Sequence, residues 1–370
     1  MKHVLYLALS VAVALLAACA SDSDKFKPVE LGPNPALLGV RSVWQAKMGA
    51  VDFVLTAKVD GVALTLASSD GTVVALDTRT GADLWRVNVG HPIAAGVGSD
   101  GQITAVVTQT NELVALKSGI LRWRVPLFAQ VLTAPLVAGA RVFVLGGDRS
   151  VSAFDAQSGR QLWQYQQSAD ALVLRQAGVL MAVGDTLVVG MSGHLLGLNP
   201  SNGAVVWDAP IANPRGNNEI ERLVDLVEGV SRQGTSVCVR AFQSSVGCVD
   251  NGRVSWSRPA QGFVGLAGDA QWLYGVESDG KVLTWRRSDG APGWVSYRLF
   301  HHTLTRPLVS ASALVFGDEA GRVHWLARGD GALLARTQTD GSALATAIVQ
   351  AGSAVVAVTR SGGIFAFQAQ

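Results

Sequence analysis

Apolar side chains recur at every second position in short runs along most of this chain, and Gly, Asp and Asn gather between the runs. Period-two alternation lays one row of side chains on each face of a strand, and the clusters between supply turns. The clearest unit runs from Leu64 to Trp85, LTLASSDGTVVALDTRTGADLW. Asp70-Gly71 divides two alternating runs and marks a hairpin. A second turn ends in Gly81 and leads to a third run that carries Trp85.

The unit repeats. Later copies read NELVALKSGILRW to Trp123, RSVSAFDAQSGRQLW to Trp163, GHLLGLNPSNGAVVW to Trp207, SSVGCVDNGRVSW to Trp256 and GKVLTWRRSDGAPGW to Trp294. The seventh, GRVHWLARGDGALLA, has Ala335 in place of Trp, and the eighth, GGIFAFQ, stops at the chain end. The position of Asp77 recurs at Lys117, Asp155, Asn199, Asp250, Arg286, Ala327 and Gln368, at intervals of 36 to 51 residues. A period near 40, with about four short strands per unit, predicts an all-β fold, an eight-bladed β-propeller with four-stranded antiparallel blades. The eighth copy lacks its last strand. Arg41–Lys47, with Trp44 in the Trp position, is expected to supply it and close the ring, which removes open edges.

Seven of the 10 tryptophans hold the same repeat position, so they read as packing residues between blades and not as a ligand cage. In the same register Cys238 takes the place of Thr65 and Cys248 that of Ala75, facing positions on a hairpin. A cross-strand disulfide is expected there, with two buried thiols as the alternative.

The N-terminus departs from the pattern. Lys2 and His3 precede an apolar stretch from Val4 to Leu16, the size of a signal h-region and short for a membrane span. It ends in Leu16-Ala17-Ala18-Cys19, which resembles the lipobox of exported bacterial lipoproteins, whose cysteine becomes the lipidated N-terminus. Residues 1–18 are thus expected to be a signal peptide, and Cys19 the lipidation site. The polar, proline-containing residues 19–38 are expected to form a flexible tether, and 39–370 the propeller. Ala20 follows the cysteine where retention in the inner membrane calls for Asp, so the resemblance implies the periplasmic face of the outer membrane.

Thirty basic side chains against 28 acidic leave no field to attract nucleic acid. The six histidines show no metal-ligand spacing; His301-His302 would point to opposite faces of a strand and reads as a rim feature. No Gly-x-Ser-x-Gly nucleophile elbow occurs. Trp-docking blades are similar to those of quinoprotein (PQQ- and calcium-dependent) dehydrogenases, but the vicinal cysteine pair of that family is absent. A polysaccharide-binding propeller would need exposed rim aromatics. Only Trp272, Trp285 and Trp325 lie outside the docking position, two of them on repeat strands. Neither catalytic residues nor a cofactor or metal is expected.

Particular segments narrow the reading. LVLR (Leu172–Arg175), NEIERLVD (Asn218–Asp225), LFHHTLTRPLV (Leu299–Val309) and GDEAGRVHWL (Gly317–Leu326) resemble the BamB family, lipoproteins of the outer-membrane β-barrel assembly (Bam) machinery. The resemblance covers essentially the whole mature chain. It implies a non-catalytic scaffold that binds the insertase BamA within the Bam complex and assists insertion of β-barrel proteins. Direct contact with nascent barrel strands is a further expectation. Carried over residue by residue, the BamA-binding positions are Leu172, Leu174, Arg175 and Asp225. The family's second acidic position falls on Val227, with Glu228 beside it, so the chain departs from the pattern there. Independently, the two intervals that contain these segments, 44 and 51 residues, are the longest, and connections of this kind return on one propeller face.

Overall fold

The computed structural model of the protein describes residues 27–167, 172–214, 217 and 223–370. These form eight four-stranded antiparallel sheets, each one blade. Counted along the chain, blades one to seven span 58–88, 93–126, 136–166, 180–210, 226–259, 267–296 and 308–338, ordered from the innermost strand outward. Blade eight takes its three inner strands from 349–369 and its outermost from Val40–Lys47. Val40 pairs with Ala369 and Lys47 with Gly363, so the two ends of the chain are zipped together. The predicted closure is therefore present, one residue longer than expected.

Buried Val, Leu, Ile and Ala of adjoining blades make the core. Each tryptophan of the repeat lies against a turn glycine of the next blade. Trp44 covers Gly81, Trp85 Gly119, Trp123 Gly159, Trp163 Gly203, Trp207 Gly252, Trp256 Gly290 and Trp294 Gly331. All seven glycines have φ between 69° and 77°, and a Cβ on any of them would come within 3.1 Å of the indole. Glycine is required on both counts. The indole N–H of Trp44, Trp123, Trp163, Trp256 and Trp294 also donates to a carbonyl of that turn, Thr78, Ala156, Pro200, Arg287 and Arg328 respectively.

The seventh copy shows why its tryptophan is missing. The next turn would join the two outer strands of blade eight, but those strands, Gly363–Ala369 and Val40–Lys47, are not consecutive in the chain, so no turn glycine joins them to receive an indole. The Trp instead moves one strand inward. Trp325 pairs directly with Ala335, whereas elsewhere the small residue is inside, as in Ala75 beneath Trp85 and Ala115 beneath Trp123.

Cys238 and Cys248 are direct cross-strand partners, in the same register as Thr65 and Ala75, and a disulfide joins them.

One expectation needs correction. The 19–38 segment is not a free tether along its described part. From Val29 to Leu38 it lies along the outer strand of blade seven, Leu333–Gln338. Leu37 and Leu38 donate to Leu334 O, Asn34 exchanges two hydrogen bonds with the Arg336 backbone, and the Arg336 guanidinium holds the carbonyls of Leu31 and Gly32. Leu38 packs on the cluster that contains Ala335, and Leu31 on the one that contains Tyr274, with Trp294 beside it. The polar composition of the segment concealed the two leucines, which cover the apolar surface left where a tryptophan is absent.

Candidate partner-binding surface

One face of the ring carries every connection from an outer strand to the next blade, together with the hairpins between the second and third strands. We call it the connection face. The link from blade three to blade four and the link from blade four to blade five both cross it. Within them the structure brings the sequence-predicted residues together. The Leu174 N–H donates to Asp225 Oδ2 at 3.0 Å. The Phe242 N–H donates to the Asp225 carbonyl. Leu172 and Leu174 are half-buried on the link, ahead of the inner strand that starts at Leu180, and Arg175 is exposed. Cys19 and residues 218–222 of the NEIERLVD stretch lie outside the described residues.

Sequence reasoning missed the residue that binds these parts. Arg149 sits in the hairpin of blade three with φ of 63°, where six other blades hold Gly71, Asn111, Gly193, Gly280, Gly321 and Gly362 and blade five holds Ser244 after a left-handed Gln243. Left-handed backbone costs a residue with a Cβ about 1 kcal/mol or more. The side chain compensates. It is buried, donates from Nη2 to the Leu172 carbonyl at 2.8 Å, and lies 3.9 Å from Asp225 Oδ1. An arginine at a position that elsewhere favours glycine was the available signal.

Val227 shows why the family pattern departs here. It is buried on the inner strand Leu226–Gln233, opposite Arg240, and its backbone bridges to Gly178. A carboxylate at 227 would be desolvated. Glu228, one residue on, faces the ring axis instead. It accepts from the Thr56 hydroxyl at 2.9 Å, a contact across the axis between blades one and five. Burial pushes its carboxyl above the ordinary carboxylate range, against the pull of the Arg306 guanidinium and the Thr56 hydroxyl. Gln176 also crosses toward the axis and donates to the Phe263 carbonyl. The link at 172–178 is thus fixed at both ends, by Arg149 and Asp225 outside and by Gln176 and Gly178 inside. A small apolar cleft opens beneath it, with Leu145, Val173, Leu174, Met191 and Leu226 among its walls.

The neighbouring link, from blade two to blade three, carries Phe128, 92% exposed. Gly147, in the blade-three hairpin between the two links, donates its N–H to the Gln130 carbonyl, and a Cβ placed on it would lie 4.0 Å from a Val173 methyl. Phe128, the two leucines and Arg175 therefore occupy adjacent links of one face. An aromatic and an arginine in that setting have the composition of an interface hot spot.

The histidines are occupied elsewhere. His302, Asp318 and Glu319 offer ligand atoms within 4.8 Å of one another, but each is already engaged. His302 bonds Glu319 and the Val29 carbonyl, while Asp318 accepts from His324 and from the Ala320 and Arg322 N–H groups. The cluster fastens the N-terminal segment through His302.

Comparison with known proteins places the chain. Residues 69–296 match the family model described as outer membrane protein assembly factor BamB. A protein of that name from Burkholderia pseudomallei is 33% identical over 98% of this chain and 97% of its own length. One from Bordetella pertussis is 32% identical over 93% and 91%. The crystal structure of BamB from Moraxella catarrhalis superimposes with a TM-score of 0.82 at 24% identity, covering 89% of this chain and all of that one.

Proposed function

Because the chain belongs to the BamB family of outer membrane protein assembly factors, we propose that it is a non-catalytic scaffold of the Bam complex that docks on BamA through Leu172, Leu174 and Arg175. In this reading a lipid on Cys19 anchors it to the periplasmic face of the outer membrane, where it assists insertion of β-barrel proteins. Its partners are BamA and through it the other Bam subunits.

The observation that carries the docking surface is the Leu174–Asp225 hydrogen bond. It joins two segments, far apart in sequence, that the family resemblance implicates in the same contact. The geometry divides their roles. Arg175 points to solvent and is the contacting charge. Asp225 is turned inward, and with Arg149 it positions the link. Phe128 extends the same surface.

The outer strands supply a second means of contact. Among the described residues no strand pairs with the outer edge of blade four, where Val205 and Val206 are exposed. That supports direct strand addition by nascent barrel segments, a role to be tested by site-specific crosslinking at position 206.

Replacing Arg175 with Glu tests the docking surface. Charge reversal at a desolvated contact costs a few kcal/mol, so copurification with BamA should fall sharply while the variant stays folded and membrane-bound. Unchanged copurification would remove Arg175 from the interface.

A further inference from the structure

We infer that the docked N-terminal segment turns the connection face, the one that carries Arg175, toward the membrane. The inference rests on the lipid anchor at Cys19 and adds what the anchor alone does not give, an orientation.

The course of the segment sets the geometry. At Leu37 and Leu38 it lies beside Leu334, near the start of the outer strand of blade seven, which is the end away from the connection face. At Asn34 and Leu31 it has reached Arg336. At Val29 it arrives at the link from blade six to blade seven, on the connection face itself. There the Val29 N–H donates to Phe300 O, and the His302 ring bonds the Val29 carbonyl at 2.9 Å. Traced toward the N-terminus, the chain therefore climbs the wall of blade seven and leaves at the rim of the connection face.

Val29 is only ten residue steps from Cys19. Fully extended they reach at most about 36 Å, whatever their conformation. With the connection face toward the bilayer, that length is free to span the gap. With the opposite face toward it, the chain must first descend the wall it has just climbed. The six-residue strand Leu333–Gln338 alone is about 20 Å long, before the turns at either end. Most of the tether would be consumed, and the ring would be pressed against the headgroups.

The test uses the acylated full chain in liposomes that contain a headgroup-labelled acceptor lipid. A donor fluorophore is placed at Arg298→Cys or at Ser288→Cys. Both sites are exposed on blade six, at opposite ends of the strand Pro292–Ser296, with 298 on the connection face. Energy transfer from position 298 should be roughly twofold higher, as a height difference of one strand requires. Equal transfer, or more from 288, overturns the inference.

Two further variants ask whether docking is the cause. L31S with N34A, H302A and R336A removes the side-chain contacts that hold the segment from Val29 to Asn34, and a Gly-Ser spacer of about ten residues after Asp24 lengthens it without touching the propeller. In both the ratio should fall toward one. A ratio that stays at the parent value in the spacer variant also overturns the inference. Failure of the chain to float with the liposomes at all would instead remove the anchor at Cys19.

Discussion

Arg149 offers the sharpest check on how the partner surface is held. Two substitutions separate its backbone from its side chain. Arg149→Ala loses the guanidinium but keeps a Cβ in the left-handed region; Arg149→Gly loses both. The side chain makes one charge-assisted hydrogen bond, to Leu172 O at 2.8 Å, and a longer ion pair, to Asp225 at 3.9 Å, both sheltered from solvent. A hydrogen bond of that kind contributes about 1.5–3 kcal/mol, and the longer pair adds less. The alanine variant should therefore lose about 2–4 kcal/mol of stability. The glycine variant should lose about 1 kcal/mol less, because the left-handed cost is relieved. Denaturant unfolding measures both. Binding should not follow the same order. Either change frees the 172–175 link, which must then be re-ordered on docking at a cost of about 1–2 kcal/mol per residue. Affinity for BamA should accordingly fall about tenfold or more in both variants. A glycine variant that is more stable than the parent and binds BamA equally well would refute the clamp.

Three other predictions bear on the scaffold. Trp325→Ala should cost about 3–5 kcal/mol as a core truncation, and adding Ala335→Trp should recover little of it, because no turn glycine of blade eight waits to receive the ring; full recovery by thermal unfolding would contradict that account. Gly252→Ala places a Cβ 2.5 Å from the Trp207 ring at a φ of 77°, and should destabilise by about 2–4 kcal/mol, against about 1 kcal/mol for alanine at Gly139, whose Cβ would meet no neighbour so that only the left-handed backbone is costly. Cys238 and Cys248 should yield no free thiol in the denatured, unreduced protein, and reduction should cost about 2–3 kcal/mol for a loop closed over 10 residues; two titratable thiols per chain would show that the bond does not form.

The blades were legible because each repeats the same local solution. Asp70-Gly71 can only be a turn, and a Trp fifteen residues later needs a glycine in the neighbouring unit to lie on. Once those two features recur, the ring and its closing strand follow. Register also carried the facing of Cys238 and Cys248. The rest was hidden because it depends on contacts between units that no repeat predicts. Arg149 looks like an ordinary polar hairpin residue until Leu172 and Asp225 are beside it. Leu31 and Leu38 look like isolated apolar residues in a polar tether until blade seven is seen to lack its tryptophan. Phe128 has no periodic partner, so its exposure could not be read from spacing.

These hidden features share one physical origin. A closed ring of repeats buries its apolar faces pairwise, and the pattern is satisfied wherever a blade meets a like neighbour. It fails where the chain begins and ends, and where a connection is longer than the fold requires. At the first place the tryptophan is displaced inward to Trp325, and the exposed wall of blade seven captures the segment that leads to Cys19. At the second, the long links between blades three, four and five have no repeat partner to hold them. A strained Arg149 and an inward-turned Asp225 take that role. The anchor direction and the partner surface are thus both products of places where the repeat cannot complete itself. Substitutions that alter either one should leave the seven tryptophan-to-glycine contacts, and with them the ring, intact.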